Sequence, residues 1–175
     1  MRLFAAVFIS SDIAEKIYAF SKTAAEYFKV KAVMCAKMHI TVKYFGKKDC
    51  EECLKIVENA IEGIRKFEAV VKGVNFFSRS KYADVLWAGV KDKTFSLKKM
   101  ALSMDNSQNE YIAHITLVRF RNNCVRESLL DKYLSESFIK EKEFGRFTVK
   151  KVVLVNSVLR PGINRYEILK EFDLR

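Results

Sequence analysis

The only two histidines of this 175-residue chain, His39 and His114, stand in matching tetrads. The first is His39-Ile40-Thr41-Val42 and the second is His114-Ile115-Thr116-Leu117. In a β-strand successive side chains point to opposite faces, so the histidine and threonine of each tetrad share one face. The aliphatic residues between and after them point the other way, into a core. An imidazole changes charge near pH ~6.5 and can give or take a proton, and a hydroxyl can donate to an anionic oxygen. Two such strands facing one another would supply an acid, a base and two donors around one site, which suits phosphoryl chemistry. A lone histidine on a strand is more often structural. Here every histidine in the chain has the same surroundings, which favours chemistry. Spacing alone does not bring the two strands together.

The elements that must position these tetrads follow from periodicity. Residues 2–9 are apolar on both alternating faces and read as a central strand buried on both sides. Asp12 with Glu15, and Asp49 with Glu52, fit capping boxes that open helices over about 12–28 and 50–66. The first turns Ile13, Ile17, Phe20 and Ala24 inward; the second turns Leu54, Val57, Ile61 and Ile64 inward. Residues 30–36 look extended and lead into the first histidine strand, about 38–45, which Gly46 ends. Two strands, about 67–77 and 82–90, pair around Ser78-Arg79-Ser80-Lys81. Trp87 in the second faces either the cleft or the core, with the core favoured. A helix over about 93–105 buries Leu97, Met100, Ala101 and Met104, and a polar loop from Asp105 to Glu110 leads into the second histidine strand, about 111–120. A fourth helix, about 125–137, buries Leu129, Leu130 and Tyr133. Two strands, about 144–157 and 164–173, close the chain around Pro161-Gly162. This order gives an α+β, mostly antiparallel domain. A helix followed by a histidine strand occurs twice, at 11–45 and 92–120, which reads as a degenerate internal duplication.

Composition bounds the rest. Lys plus Arg number 32 against 21 Asp plus Glu, a net charge of +11. Such an excess suits a polyanionic partner such as RNA, whose phosphates supply most non-specific affinity. The length fits one domain over 1–175, and one proline with six glycines leaves little room for linkers. The apolar run at residues 3–9 is too short for a signal peptide, and no stretch approaches the ~20 apolar residues of a membrane span. A cytoplasmic protein with four reduced cysteines is expected. Cys50-Glu51-Glu52-Cys53 has C-x-x-C spacing, but zinc would need two further ligands, and the carboxylates do not cluster near the tetrads as magnesium would require. No metal and no cofactor are expected.

The repeated His-x-Thr-x resembles the 2H phosphoesterase superfamily, in particular the LigT-like branch of RNA 2′,3′-cyclic phosphodiesterases, also called 2′-5′ RNA ligases. Residues 1–9 resemble that family's opening strand. Met38-His39-Ile40-Thr41-Val42-Lys43-Tyr44-Phe45-Gly46 resembles its first signature, with Tyr44 where phenylalanine is common. His114-Ile115-Thr116-Leu117-Val118-Arg119 resembles its second. Residues 154–169, with Ser157, Gly162 and Tyr166, resemble its closing hairpin. The resemblance implies two similar lobes whose antiparallel sheets line a central cleft, with helices outside. It implies opening of RNA 2′,3′-cyclic phosphate ends to 2′-phosphates without metal, with reversible 2′-5′ ligation as a related activity. His39 would then be the acid toward the leaving O3′ and His114 the base toward water, or the reverse. Thr41 and Thr116 would hold the non-bridging oxygens. Arg119 would add a fork of donors, although strict strand parity places it opposite His114, so it needs a twist or bulge to reach. Tyr44 would stack on a nucleobase, and Lys43, on the face of His39 and Thr41, would contact phosphate. The expected partners are RNAs with cyclic ends, tRNA fragments among them, met by a monomer. Two other readings stay open: an RNA-binding protein of this fold without catalysis, and a 2H phosphodiesterase acting on a small cyclic nucleotide, ADP-ribose cyclic phosphate, 2′-5′ oligoadenylate or a 3′-terminal uridylate.

Overall fold

The computed structural model describes the chain except residues 106–109, 123, 136–138 and 161–162. Its elements are β1 (Leu3–Phe8), α1 (Ser11–Tyr27), a 3-10 turn (Cys35–Lys37), β2 (His39–Gly46), α2 (Cys50–Ile61), β3 (Phe67–Arg79) and β4 (Tyr82–Asp92). There follow α3 (Ser96–Met104), β5 (His114–Arg119), α4 (Glu127–Ser135), β6 (Glu143–Val149), β7 (Lys151–Arg160) and β8 (Ile163–Asp173). The strands form one sheet in the order β6-β3-β4-β5-β2-β1-β7-β8, and every pairing in it is antiparallel.

This is the expected α+β class, and the sheet divides into two four-stranded halves. One half is β2-β1-β7-β8 and the other is β5-β4-β3-β6. They meet at a single pair, Ile40 opposite Ile115. Each half contains a strand, a helix and a histidine strand in succession, β1-α1-β2 and β4-α3-β5, as the duplication predicts. One buried cluster takes Leu3, Ala5 and Val7 from β1 and side chains from all four helices, including Ile17, Val57, Leu97 and Leu130. The helices therefore cover one face of the sheet. A small second cluster, Phe4, Ala6, Val153 and Val155, lies on the other face.

The expected strand over 144–157 is in fact two strands in different halves. β6 is one edge of the sheet, while β7 lies next to the opposite edge, and Lys150 alone separates them. Six strand spacings in a flat sheet would be roughly 29 Å, and one residue spans ~3.5 Å. The sheet must therefore curl until its ends approach. Local composition gives no sign of this, because the residues on both sides of Lys150 are equally strand-like.

Smaller departures have local causes. α1 starts one residue before Asp12, with Ser10 at its N-cap, so the box of Asp12 and Glu15 does not form. The box at Asp49 does cap: its carboxylate accepts the Glu52 backbone N–H at 3.0 Å. α2 ends at Ile61 rather than near 66, because Gly63 adopts φ +74 and turns the chain. α3 begins at Ser96 rather than near 93, since Asp92 takes the N–H groups of Ser96 and Leu97. The segment before β2 tightens into the 3-10 turn instead of staying extended. Leu129 is exposed, and α4 buries Leu130, Tyr133 and Leu134. The Pro161-Gly162 turn, most of the 105–110 loop and the expected end of the fourth helix lie outside the described residues.

Candidate active site

Ile40 and Ile115 are fully buried and directly opposed. Their neighbours along each strand must point to the other face. Antiparallel pairing then sets His39 beside Thr116 and Thr41 beside His114, so the four polar side chains of the two tetrads surround the junction of the half-sheets. The histidine and threonine expected to share one face do so, and the two strands do meet. A cleft of about 490 Å³ is lined by His39, Thr116, Arg119 and Tyr166 among others. A second, of about 560 Å³, is bordered by Thr41, Tyr44, Phe77, Tyr111 and His114.

Both imidazoles are held by the same device. His39 Nδ1 lies 2.7 Å from the Lys37 carbonyl, and His114 Nδ1 lies 2.8 Å from the Ile112 carbonyl. A carbonyl only accepts, so each Nδ1 carries a proton and each neutral ring keeps a bare Nε2. Nε2 of His39 is 3.1 Å from the Thr41 hydroxyl. Burial pushes the pKa of both rings below the ordinary histidine value; the carbonyl bonds oppose this, and the positive charge of Arg119 adds to it. The charge of His114 adds in the same direction to the shift of His39, after burial and Arg119.

Arg119 reaches the cleft through a bulge. Thr116 pairs with Trp87 and Val118 with Leu86, leaving Leu117 as an extra residue on β5. That residue shifts the parity by one and returns Arg119 to the histidine face, where its guanidinium lies 3.5 Å from the Thr116 hydroxyl. The freed Leu117 carbonyl accepts the Val33 N–H at 2.8 Å.

The same bulge occurs in β2 and decides the other two candidates. Thr41 pairs with Ala6 and Lys43 with Ala5, which leaves Val42 unpaired. Directly opposed residues share a face. Ala6 belongs to the cluster on the cleft side and Ala5 to the main core. Lys43 is therefore turned away from the face of His39 and Thr41, contrary to simple alternation. Lys43 still borders the second cleft, and its ammonium is ion-paired with Asp105, the residue that ends α3. Tyr44, opposite Phe4, returns to the cleft side and is 58% exposed, so it is not a core aromatic. By position it is the counterpart of Arg119.

Aromatic rings frame both imidazoles. Phe4 and Tyr166 lie 5.0 and 5.4 Å from His39, ring centre to ring centre. Phe77 and Trp87 lie 5.0 and 5.9 Å from His114. Trp87 thus lies on the histidine face rather than in the core, because its partner on β5 is Thr116. Its indole N–H has no hydrogen-bond partner among the described residues. Opposite His114 stands Gly89, where a Cβ would come within 2.8 Å of the Lys72 carbonyl, so no larger residue fits there.

The match to known proteins follows this geometry. The model of LigT-like phosphoesterases matches residues 7–87. An RNA 2′,3′-cyclic phosphodiesterase of Methanocaldococcus jannaschii is 32% identical, covering 98% of this chain and all of that protein. The chain belongs to the LigT-like phosphoesterase family. A second RNA 2′,3′-cyclic phosphodiesterase, from Archaeoglobus fulgidus, is 30% identical over 99% of this chain and all of its own length. These full-length relatives extend past the model match, which stops before His114. Among solved structures, a Thermus thermophilus protein shares the fold with a TM-score of 0.76 at 21% identity, covering 100% of this chain and 98% of that one. Escherichia coli LigT complexed with 3′-AMP shares it at 0.75 and 20% identity, covering 99% and 97%.

Within this LigT-like site, several wall residues escape sequence reasoning. Phe4 and Phe77 read as ordinary strand aromatics, and only the register puts them, with Trp87, beside the imidazoles. Tyr111 donates its hydroxyl to the Thr41 carbonyl at 2.8 Å and ties the approach of β5 to β2. Its phenol is strongly raised above the ordinary value by burial. The cysteines are free thiols; Cys53 is buried in α2 and its pKa is raised by that burial. Among the described residues no three His, Cys, Asp or Glu side chains gather as a metal site. No helix among them is long and apolar enough to cross a membrane.

Proposed function

We propose that this protein opens RNA 2′,3′-cyclic phosphate ends to 2′-phosphates by acid–base catalysis between His39 and His114. The observation that carries the reading is the pairing of Ile40 with Ile115, which sets both His-Thr tetrads side by side at the junction of the half-sheets. In a cyclic phosphate the ribose O3′ is the leaving group and water the nucleophile. His114, its bare Nε2 facing the cleft, takes the proton from water. His39, protonated at Nε2, gives a proton to O3′ as the P–O3′ bond breaks. Thr41, Thr116 and Arg119 donate to the non-bridging oxygens as charge builds on them. In the ligation direction the two histidines exchange roles. Tyr44 offers an exposed ring for the terminal base. The substrate is RNA, tRNA fragments included, bound by a cytoplasmic monomer. Lys43 contributes through its pairing with Asp105, not through phosphate.

The test is product analysis on a short RNA carrying a 2′,3′-cyclic phosphate. The 2′-phosphate is the expected product, formed equally with and without a chelator. An unopened end, a 3′-phosphate product, or activity lost on chelation and restored by metal would overturn the reading.

A further inference from the structure

Beyond the second cleft the surface continues into a groove that the reaction itself does not use. Tyr111 and Ile112 line the cleft at His114 and also a neighbouring pocket of about 470 Å³. That pocket shares Tyr111, Val90 and Lys91 with a larger groove of about 830 Å³. The groove floor is apolar, with Val70, Leu97 and Ala113 among its residues. Its rim carries Lys66, Lys91, Lys93 and Lys98, all exposed. None of these four makes an ion pair with a described residue.

The groove also holds a strained aromatic. Phe95 is 65% exposed and adopts φ +57, a left-handed conformation that a bulky residue rarely takes. It is locked there by Asp92, whose carboxylate accepts from Thr94, Ser96 and Leu97. A ring held exposed at such a cost suggests that the ring is used. An apolar floor with one free ring and a rim of unpaired lysines fits single-stranded nucleic acid, with bases on the floor and phosphates on the rim.

We propose that this groove binds the single-stranded RNA leading to the cyclic end, with Lys91, Lys93 and Lys98 on its backbone and Phe95 stacked on a base. The proposal rests on the functional reading above for what occupies the cleft. Its continuity with the cleft through Tyr111 explains why the lysines gather at this end of the sheet.

The test uses a fluorescent RNA of about twelve nucleotides ending in a 2′-phosphate, which binds without turnover, against the wild type, a Lys91→Glu/Lys98→Glu variant and Phe95→Gly. These residues do not bound the histidine cleft, so opening of a 2′,3′-cyclic mononucleotide serves as the reference. Each variant is expected to bind the long RNA about tenfold more weakly while opening the mononucleotide at the wild-type rate. Phe95→Gly should also melt at a higher temperature, since glycine relieves the left-handed strain; a merely structural Phe95 would leave RNA affinity unmoved. Equal affinity of all three proteins for the long RNA would overturn the proposal. Displacement of the RNA by an acidic peptide as readily as by unlabelled RNA would also overturn it, in favour of a protein partner. A wild type that binds the long RNA through these lysines yet leaves every cyclic phosphate closed would refute the proposed function and leave the groove standing.

Discussion

At the scale of single residues, the proposed mechanism divides one proton-transfer task between the two histidines. A positioned acid or base contributes about 10²–10⁴-fold. His39→Ala and His114→Ala should each lose that much turnover on a cyclic-phosphate RNA while keeping the wild-type melting temperature within a few degrees, and Thr41→Ala and Thr116→Ala should lose less. Wild-type rates in both histidine variants would remove them from the mechanism. Their environment also sets the pH response. Burial and Arg119 hold both imidazoles below the ordinary histidine value, so the bell in kcat/KM should have its limbs below pH ~6.5. A positive neighbour disfavours the imidazolium, and removing it raises both pKa values. Arg119→Gln should therefore move the whole bell to higher pH as well as weaken binding. A bell that stays in place would show that Arg119 does not act on the histidines. The limbs belong to the pair and not to one ring.

At the scale of elements, the two bulges matter more than the strands they interrupt. One extra residue after each threonine, Val42 and Leu117, decides which of the following side chains lies on the histidine face. It brings Tyr44 and Arg119 to the cleft and sends Lys43 to α3. The helices show how far a local pattern can be trusted. Asp12 and Asp49 stand in the same sequence pattern, but only Asp49 is the N-cap and accepts the backbone N–H three residues on. Asp49→Ala should cost about 0.5–2 kcal/mol in urea unfolding. Asp12→Ala should move the urea midpoint less, because Ser10 occupies the cap position. Equal losses would mean that the pattern, not the observed bond, governs stability.

At the scale of the whole molecule, the curl makes one working surface out of two half-sheets. The helices take one face, and the other carries the two histidines. With a net charge of +11, RNA affinity should fall linearly as salt rises on a log–log plot, because each phosphate contact releases counterion. The slope should be shallower for Lys91→Glu/Lys98→Glu than for the wild type. A flat wild-type plot would show that the basic excess is spent elsewhere.

The sequence by itself determined the α+β class, the unit of a helix followed by a histidine strand that occurs twice and the shared face of each histidine with its threonine. These follow from alternation and helical spacing, which act over a few residues. It also carried the resemblance that named the chemistry. Only the tertiary structure decided what depends on pairing between distant strands. Lys43 turned from the face of His39 and Thr41 because Val42 bulges against β1, and Arg119 returned to the histidine face because Leu117 bulges against β4. Trp87 joined the histidine face because β4 lies beside β5. The stretch around Lys150 became two strands because each half-sheet had an edge to fill. Register is a property of two strands at once, and one extra residue reverses every face that follows it.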